Sequence, residues 1–177
     1  MIINQKSDLR LQIKAILSSL SADTKYKHSK NLTNKLWKKI KDYDVCMIFF
    51  SKSDEINTEK IIQKLHRHKK LILIPQIVKN NIVPVIYDEN SILEKWEFAI
   101  TQIQNYVIYT WEIDLIIVPW MAFDKEWNRL GRWKWFYDRF LLQYQNSHKI
   151  WICFPEQLID YVPTNKSDIT MDEIFTW

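Results

Sequence analysis

Residues 114–142, DLIIVPWMAFDKEWNRLGRWKWFYDRFLL, constrain this chain more than any other stretch. Leu115 to Val118 is a short, wholly apolar run, the pattern of a strand buried on both faces, and Pro119 ends it because proline has no N–H for a ladder. Apolar residues return at helical spacing from about Phe136 to Gln145. A strand–loop–helix unit is therefore predicted, the place where α/β proteins put their chemistry. The loop carries Arg129, Arg132 and Lys134, followed at once by Asp138 and Arg139. Those charges suit a polyphosphate. A phosphate cradle also needs backbone N–H groups bared by glycine, yet this loop has one glycine and four tryptophans.

That conflict extends to the whole chain. It has Gly 1 and Trp 9 in 177 residues, where average usage gives about 12 glycines. Turns that need a positive φ are expected to have no other cheap occupant. The two residue types together come close to the usual glycine count. The reading is that many of these positions, the loop ones above all, are glycine in the native protein, encoded by a UGA codon that some bacteria read as glycine. UGG codons at Trp120, Trp127, Trp133 and Trp135 would end it. The alternative is an aromatic-rich natural or designed loop.

Read with glycine at its tryptophans, the stretch becomes VPGMAFDKEGNRLGRGKGFYDRFL. It then resembles the nucleotide loop of the 5-formyltetrahydrofolate cyclo-ligase (5,10-methenyltetrahydrofolate synthetase) family. P-x-x-A-F-D at Pro119 to Asp124, R-L-G-R at Arg129 to Arg132 and Y-D-R-F at Tyr137 to Phe140 stand in register even without the substitution. The family's K-x-x-L-R is matched by Lys6, Leu9 and Arg10, and its E-I-x-T by Glu55, Ile56 and Thr58. Phe50 falls at the family's apolar contact position. The closing D-x-x-x-D-E is matched by Asp168 and Asp172, with Ser167 where a His often precedes it. The chain departs from the family at G-I-x-E-P, where it has Ala99, Ile100, Thr101, Gln102 and Ile103, so folate contacts from residues 91–105 are in doubt.

Composition bounds the rest. The length fits one domain, residues 1–177, with a sizeable core. Net charge +4 and a pI near 8.9 suit an anionic small molecule or nucleic acid and choose neither. The first residues lack a signal-peptide core and no apolar run approaches the ~18 residues of a membrane span, so a cytoplasmic protein is expected. Cys46 and Cys153 lie in apolar runs and read as buried free thiols. No Walker sequence, dinucleotide fingerprint, CxxC pair or HExxH occurs.

Along the chain, Leu9, Ile13, Ile16, Leu17 and Leu20 share one face of a helix over residues 6–20. Ser21 caps a second helix that runs to about Lys41, with Trp37 in its middle as a candidate genuine tryptophan. Val45 to Phe50 reads as a central parallel strand, followed by a helix entered near Asn57 or Thr58. His66 and His68 point to different faces of that helix, which argues against a metal site. Leu71–Pro75, Ile82–Tyr87 (at an edge), and Ile150–Phe154 read as further strands, and the tail adds a possible edge strand. Pattern alone supports α/β with a parallel core. The resemblance implies a three-layer α/β sandwich with a mostly parallel central sheet, like the glucosamine-phosphate deaminase/ribose-phosphate isomerase/CoA-transferase group.

The resemblance further implies ATP-dependent closure of 5-formyltetrahydrofolate to 5,10-methenyltetrahydrofolate, with ADP and phosphate released. The formyl oxygen is a poor leaving group until phosphorylated, and the neighbouring N10 then closes the ring intramolecularly. Such a reaction calls for cations and Mg²⁺ around the transferring phosphoryl group and for exclusion of water. ATP contacts are expected from Lys6, Arg10, Arg129, Leu130, Gly131, Arg132, Trp133, Lys134, Trp135, Phe136 and Tyr137. Arg132, Lys134 and Tyr137 carry the catalytic expectation, and Phe50, Glu55, Arg132, Trp135 and Phe136 the folate expectation. Asp138 and Asp168 are the expected Mg²⁺ ligands. Asp124 is read as stabilising the loop. Small-molecule partners, a monomer and no membrane are expected. Two other readings stand beside this one: an inactive member of the fold if Trp133 and Trp135 are genuine, and, with less support, a single-stranded nucleic-acid module built on the interleaved basic and aromatic residues.

Overall fold

The structure, a computed structural model, describes residues 2–95, 101–126, 128–131, 136–163 and 172–176. Two long helices open the chain, α1 (Ile2–Ser19) and α2 (Ala22–Ile40). The Ser21 hydroxyl accepts the Thr24 N–H at 3.1 Å, so the expected cap is in place. A helix α3 (Glu59–Arg67) follows strand β1 (Val45–Met47), its start held by Asn57, whose side-chain oxygen accepts the Glu59 N–H. Strands β2 (Leu71–Val78) and β3 (Asn81–Tyr87) form a hairpin, and β4 (Leu93–Lys95) and β5 (Thr101–Ile103) a second one. Then come β6 (Leu115–Val118), a small hairpin of β7 (Ala122–Phe123) and β8 (Arg129–Leu130), and a short helix α4 (Phe136–Leu141). Strand β9 (His148–Ile152), a 3-10 turn at Pro155–Gln157 and strand β10 (Glu173–Phe175) close the fold.

The main sheet has the order β10-β9-β6-β1-β2-β3, parallel throughout except for β3 at its edge. Alternation along the strands sorts the core into two layers. Cys46, Ile72, Ile74, Leu115, Ile117, Ile150 and Ile152 face a cluster with Ile13, Leu17, Leu32, Leu36 and Leu65 from α1, α2 and α3. Met47, Leu73, Ile116, Val118 and Trp151 face the other way, onto Phe140 and Leu141 of α4. Helices on both faces of a mostly parallel sheet make the expected three layers. Cys46 and Cys153 are buried free thiols. Burial, with the Asp114 charge added for Cys46 and Glu156 for Cys153, pushes both up to about 12. Among the described residues no helix is long and apolar enough to cross a membrane.

Several boundaries moved. Ile16, expected on the buried face of α1, is exposed. β1 ends at Met47, although Ile48 and Phe49 remain buried and the Ile48 N–H still reaches the Leu73 carbonyl at 2.9 Å. α4 is shorter than the predicted 136–145. Turn chemistry also differs from the expectation that only glycine would serve. Among the described residues Lys69, Lys79, Asn80 and Asn105 take positive φ, two of them as the β2–β3 turn, and no tryptophan does.

Candidate functional site

Strand order explains where the site lies. From β1 the chain steps through β2 to β3 on one side, then returns to β6 and moves through β9 to β10 on the other. The order therefore reverses between β1 and β6, the switch point at whose carboxyl ends open α/β sheets bind ligands. The loop after β1 carries Phe50 and Glu55, and that after β6 carries residues 119–135. At the opposite end, the Asp114 carboxylate accepts the N–H groups of Asp44 and Val45 at 3.0 and 2.8 Å, fixing the two strands in register.

Asp124 holds the second loop together. It is 2% exposed. Its carboxylate accepts the backbone N–H groups of Glu126, Asn128 and Val162 and the Asn128 amide, all within 3.0 Å. Burial alone would raise its pKa; the hydrogen bonds from Asn128, Val162 and Glu126 outweigh it and hold the carboxyl below its ordinary 3.8. A depressed carboxylate stabilises the fold fully above that ordinary value and loses the contribution as pH falls through its folded pKa. Asp124→Asn should therefore lower stability by about 2–3 kcal/mol at neutral pH and make acid unfolding shallower below about pH 4, as read from urea melts across pH.

Gln157 went unnoticed in the sequence. Its side-chain N–H group donates to the Trp120 and Met121 carbonyls at 2.6 and 3.0 Å, and its oxygen accepts the Phe154 N–H at 2.8 Å. The amide thus splints the chain leaving β6 to the chain leaving β9. A buried glutamine after a proline turn has no sequence signature that separates it from a surface one.

Arg10 and Gly131 meet as the resemblance implies: the Arg10 Nε donates to the Gly131 carbonyl at 2.7 Å, which brings α1 to the loop. Lys6 lies on the same helix. Gly131 has no room for a side chain, because a Cβ there would overlap the Trp120 ring. Leu130 is buried, and its carbonyl accepts the Met121 N–H at 3.1 Å.

Arg129 is not on an open cationic surface. It is 2% exposed, ion-paired with Asp138, and its guanidinium lies over the rings of Trp120 at 4.8 Å and Trp151 at 5.9 Å. This pair ties the end of β8 to the start of α4 and so closes the intervening loop. It also leaves Arg129 unsuited to the stacking platform of a nucleic-acid module. Asp138 is a fitting single carboxylate for Mg²⁺, which takes one or two together with phosphate oxygens, and among the described residues no larger acidic or His/Cys cluster could hold a metal. Arg132, Trp133, Lys134, Trp135 and Asp168 lie outside the described residues.

The other wall is formed by Glu55, which is half-buried and accepts the Lys52 N–H at 2.8 Å. Burial and then the Glu55 charge raise the Tyr137 hydroxyl above its ordinary 10.0, so Tyr137 stays a neutral donor facing that carboxylate. Phe50 meets Tyr87 edge to face at 5.2 Å, and Phe136 is half-buried under the Arg139 guanidinium. An open groove of about 460 Å³ reaches Glu55 between α2 and α3, bordered by Lys25, Lys52 and Lys60. In the 91–105 segment, Gln102 sits buried, and among the described residues its side-chain N–H group has no partner.

Known proteins resemble this chain over nearly its whole length. The family model for the 5-formyltetrahydrofolate cyclo-ligase family matches residues 2–177. The 5-formyltetrahydrofolate cyclo-ligase of Mus musculus is 31% identical over 186 residues, covering 96% of this chain and 92% of its own. That of Haemophilus influenzae is 26% identical, covering 96% of each. Two solved structures share the fold. The Aquifex aeolicus 5,10-methenyltetrahydrofolate synthetase has a TM-score of 0.85 at 23% identity, over 96% of this chain and 88% of that one. The Mycoplasma pneumoniae 5,10-methenyltetrahydrofolate synthetase has 0.78 at 21%, over 97% and 98%. With the family model spanning residues 2–177 and a relative 31% identical over 96% of the chain, the chain belongs to the 5-formyltetrahydrofolate cyclo-ligase family.

Proposed function

We propose that this chain converts 5-formyltetrahydrofolate and ATP to 5,10-methenyltetrahydrofolate, ADP and phosphate. The observation that supports the reading is the Arg10 contact to the Gly131 carbonyl, which brings α1 to the loop after β6, with the Glu55 charge acting on Tyr137 beyond that loop. Glu55 takes the pterin ring, whose adjacent N–H donors suit a two-oxygen acceptor. Phe50 and Phe136 supply apolar contact.

The triphosphate lies along residues 129–137. Lys6 and Arg10 approach it from α1, Arg132 and Lys134 from the loop, while Leu130, Gly131, Trp133 and Trp135 mark main chain beside it. Arg129 acts from beneath by holding Asp138. Arg132 and Lys134 offset the charge that builds on the γ-phosphoryl group as the formyl oxygen attacks phosphorus. Tyr137, a neutral hydroxyl, donates to a phosphate or folate oxygen. The phosphorylated oxygen then leaves as N10 closes the ring, with no general base required. Asp138 and Asp168 would hold Mg²⁺, which would supply positive charge against the phosphate groups. The protein works as a monomer in the cytoplasm.

The test is ATP-dependent appearance of methenyl-folate absorbance. Within it, Glu55→Gln is expected to raise the KM for 5-formyltetrahydrofolate by about 10- to 100-fold, the loss of charge-assisted hydrogen bonds, with the KM for ATP little changed. An equal rise in both would remove Glu55 from the folate wall.

A further inference from the structure

The described tryptophans are of different kinds. Trp37 on α2 is half-buried, with the His68 ring 4.5 Å away and the Lys64 ammonium 5.5 Å over it. Nothing about it conflicts with its surroundings. Trp120 and Trp151 are 7% and 0% exposed, and among the described residues neither indole N–H has a hydrogen-bond partner. A buried indole N–H normally finds an acceptor, so two orphans side by side are out of keeping with an evolved site. The two are neighbours by construction: Trp151 is opposite Val118 in the β6–β9 register and Trp120 follows two residues later. Their rings meet edge to face at 6.2 Å.

What surrounds them is the candidate site. Arg129 lies over both rings, the Tyr137 ring is 6.1 Å from Trp120, and Gly131 touches the Trp120 ring. These indoles therefore fill space at the carboxyl ends of β6 and β9, directly under the loop. We infer that residues 120 and 151 are glycine in the functional protein, and that the volume the two indoles occupy is ligand space. For Trp151 this goes beyond the loop, into a sheet strand. With glycine at both positions, Arg129 and Asp138 line an open floor, and the cation fits a phosphoryl group. The identity of that ligand rests on the ATP-dependent reading above; the identity of the two residues does not.

Two measurements test it. Mass spectrometry of peptides from the protein isolated from its source organism should find glycine at both positions, and tryptophan at either overturns the inference. Separately, recombinant protein with Trp127→Gly, Trp133→Gly and Trp135→Gly is compared with the same protein carrying Trp120→Gly and Trp151→Gly as well, by titration with Mg-ATP and by thermal melting. The five-glycine protein should bind Mg-ATP at least about tenfold more tightly, since a site filled by protein atoms must first be emptied, with Tm held or raised. No gain in affinity, or a fall in Tm of about 10 °C or more without one, overturns the ligand-space assignment. If it binds Mg-ATP yet forms no methenyl-folate, the inference stands and the cyclisation reading fails.

Discussion

Chain carrying tryptophan at 133 and 135 is expected to form methenyl-folate at least about 100-fold more slowly than the same chain with glycine there, the scale of losing preorganised donors around a charged transition state. The comparison is best made with glycine already at 120 and 151, in a continuous absorbance assay with saturating ATP. The physical basis is the frame around the loop. Arg10 fixes the carbonyl of Gly131, and the Arg129–Asp138 pair ties the flanks, so the span between Gly131 and Phe136 joins two held points. Two indoles in a span that short would obstruct the approach of a triphosphate to backbone N–H groups, which glycine leaves bare. Equal turnover by the two proteins would exclude main-chain phosphate binding at these positions.

The second large effect concerns stability. In the tryptophan-bearing chain, Asp138→Ala should cost about 3–5 kcal/mol, because it takes a carboxylate partner from the buried Arg129 guanidinium. For a chain of this size that is a fall in Tm of roughly 6–20 °C. Arg129→Met/Asp138→Ala together should recover part of the loss, since the removal of both charges leaves none buried alone. Urea or thermal melts of the two variants decide it. A loss below about 1 kcal/mol in the single variant would mean the pair behaves as an exposed one.

Much of the fold was legible because it rests on apolar periodicity. The Leu115–Val118 run is β6 residue for residue, and Ser21 caps α2 as its hydroxyl chemistry requires. Of the candidate site, motif spacing put Arg10 and Gly131 in one expected set, and the two meet across 121 residues of sequence. What was hidden depends on three-dimensional neighbours. Nothing in R-L-G-R tells that Arg129 is buried in this chain under the rings of Trp120 and Trp151 and paired with Asp138. Gln157 was invisible for the same reason. The glycine deficit was read through turns, yet Asn and Lys fill the left-handed positions described, and the signal lies instead in crowded indoles with orphaned N–H groups.

The Arg10–Gly131 contact also sets an order of events during biosynthesis. α1 leaves the ribosome before its partners in the loop and at the Pro155–Gln157 turn, which are made more than a hundred residues later. At ordinary elongation rates the nascent helix waits on the order of ten seconds with Ile13 and Leu17 unsheltered. Stalling or slow decoding near codon 131 would prolong that exposure and make early capture by a holdase the decisive step in yield.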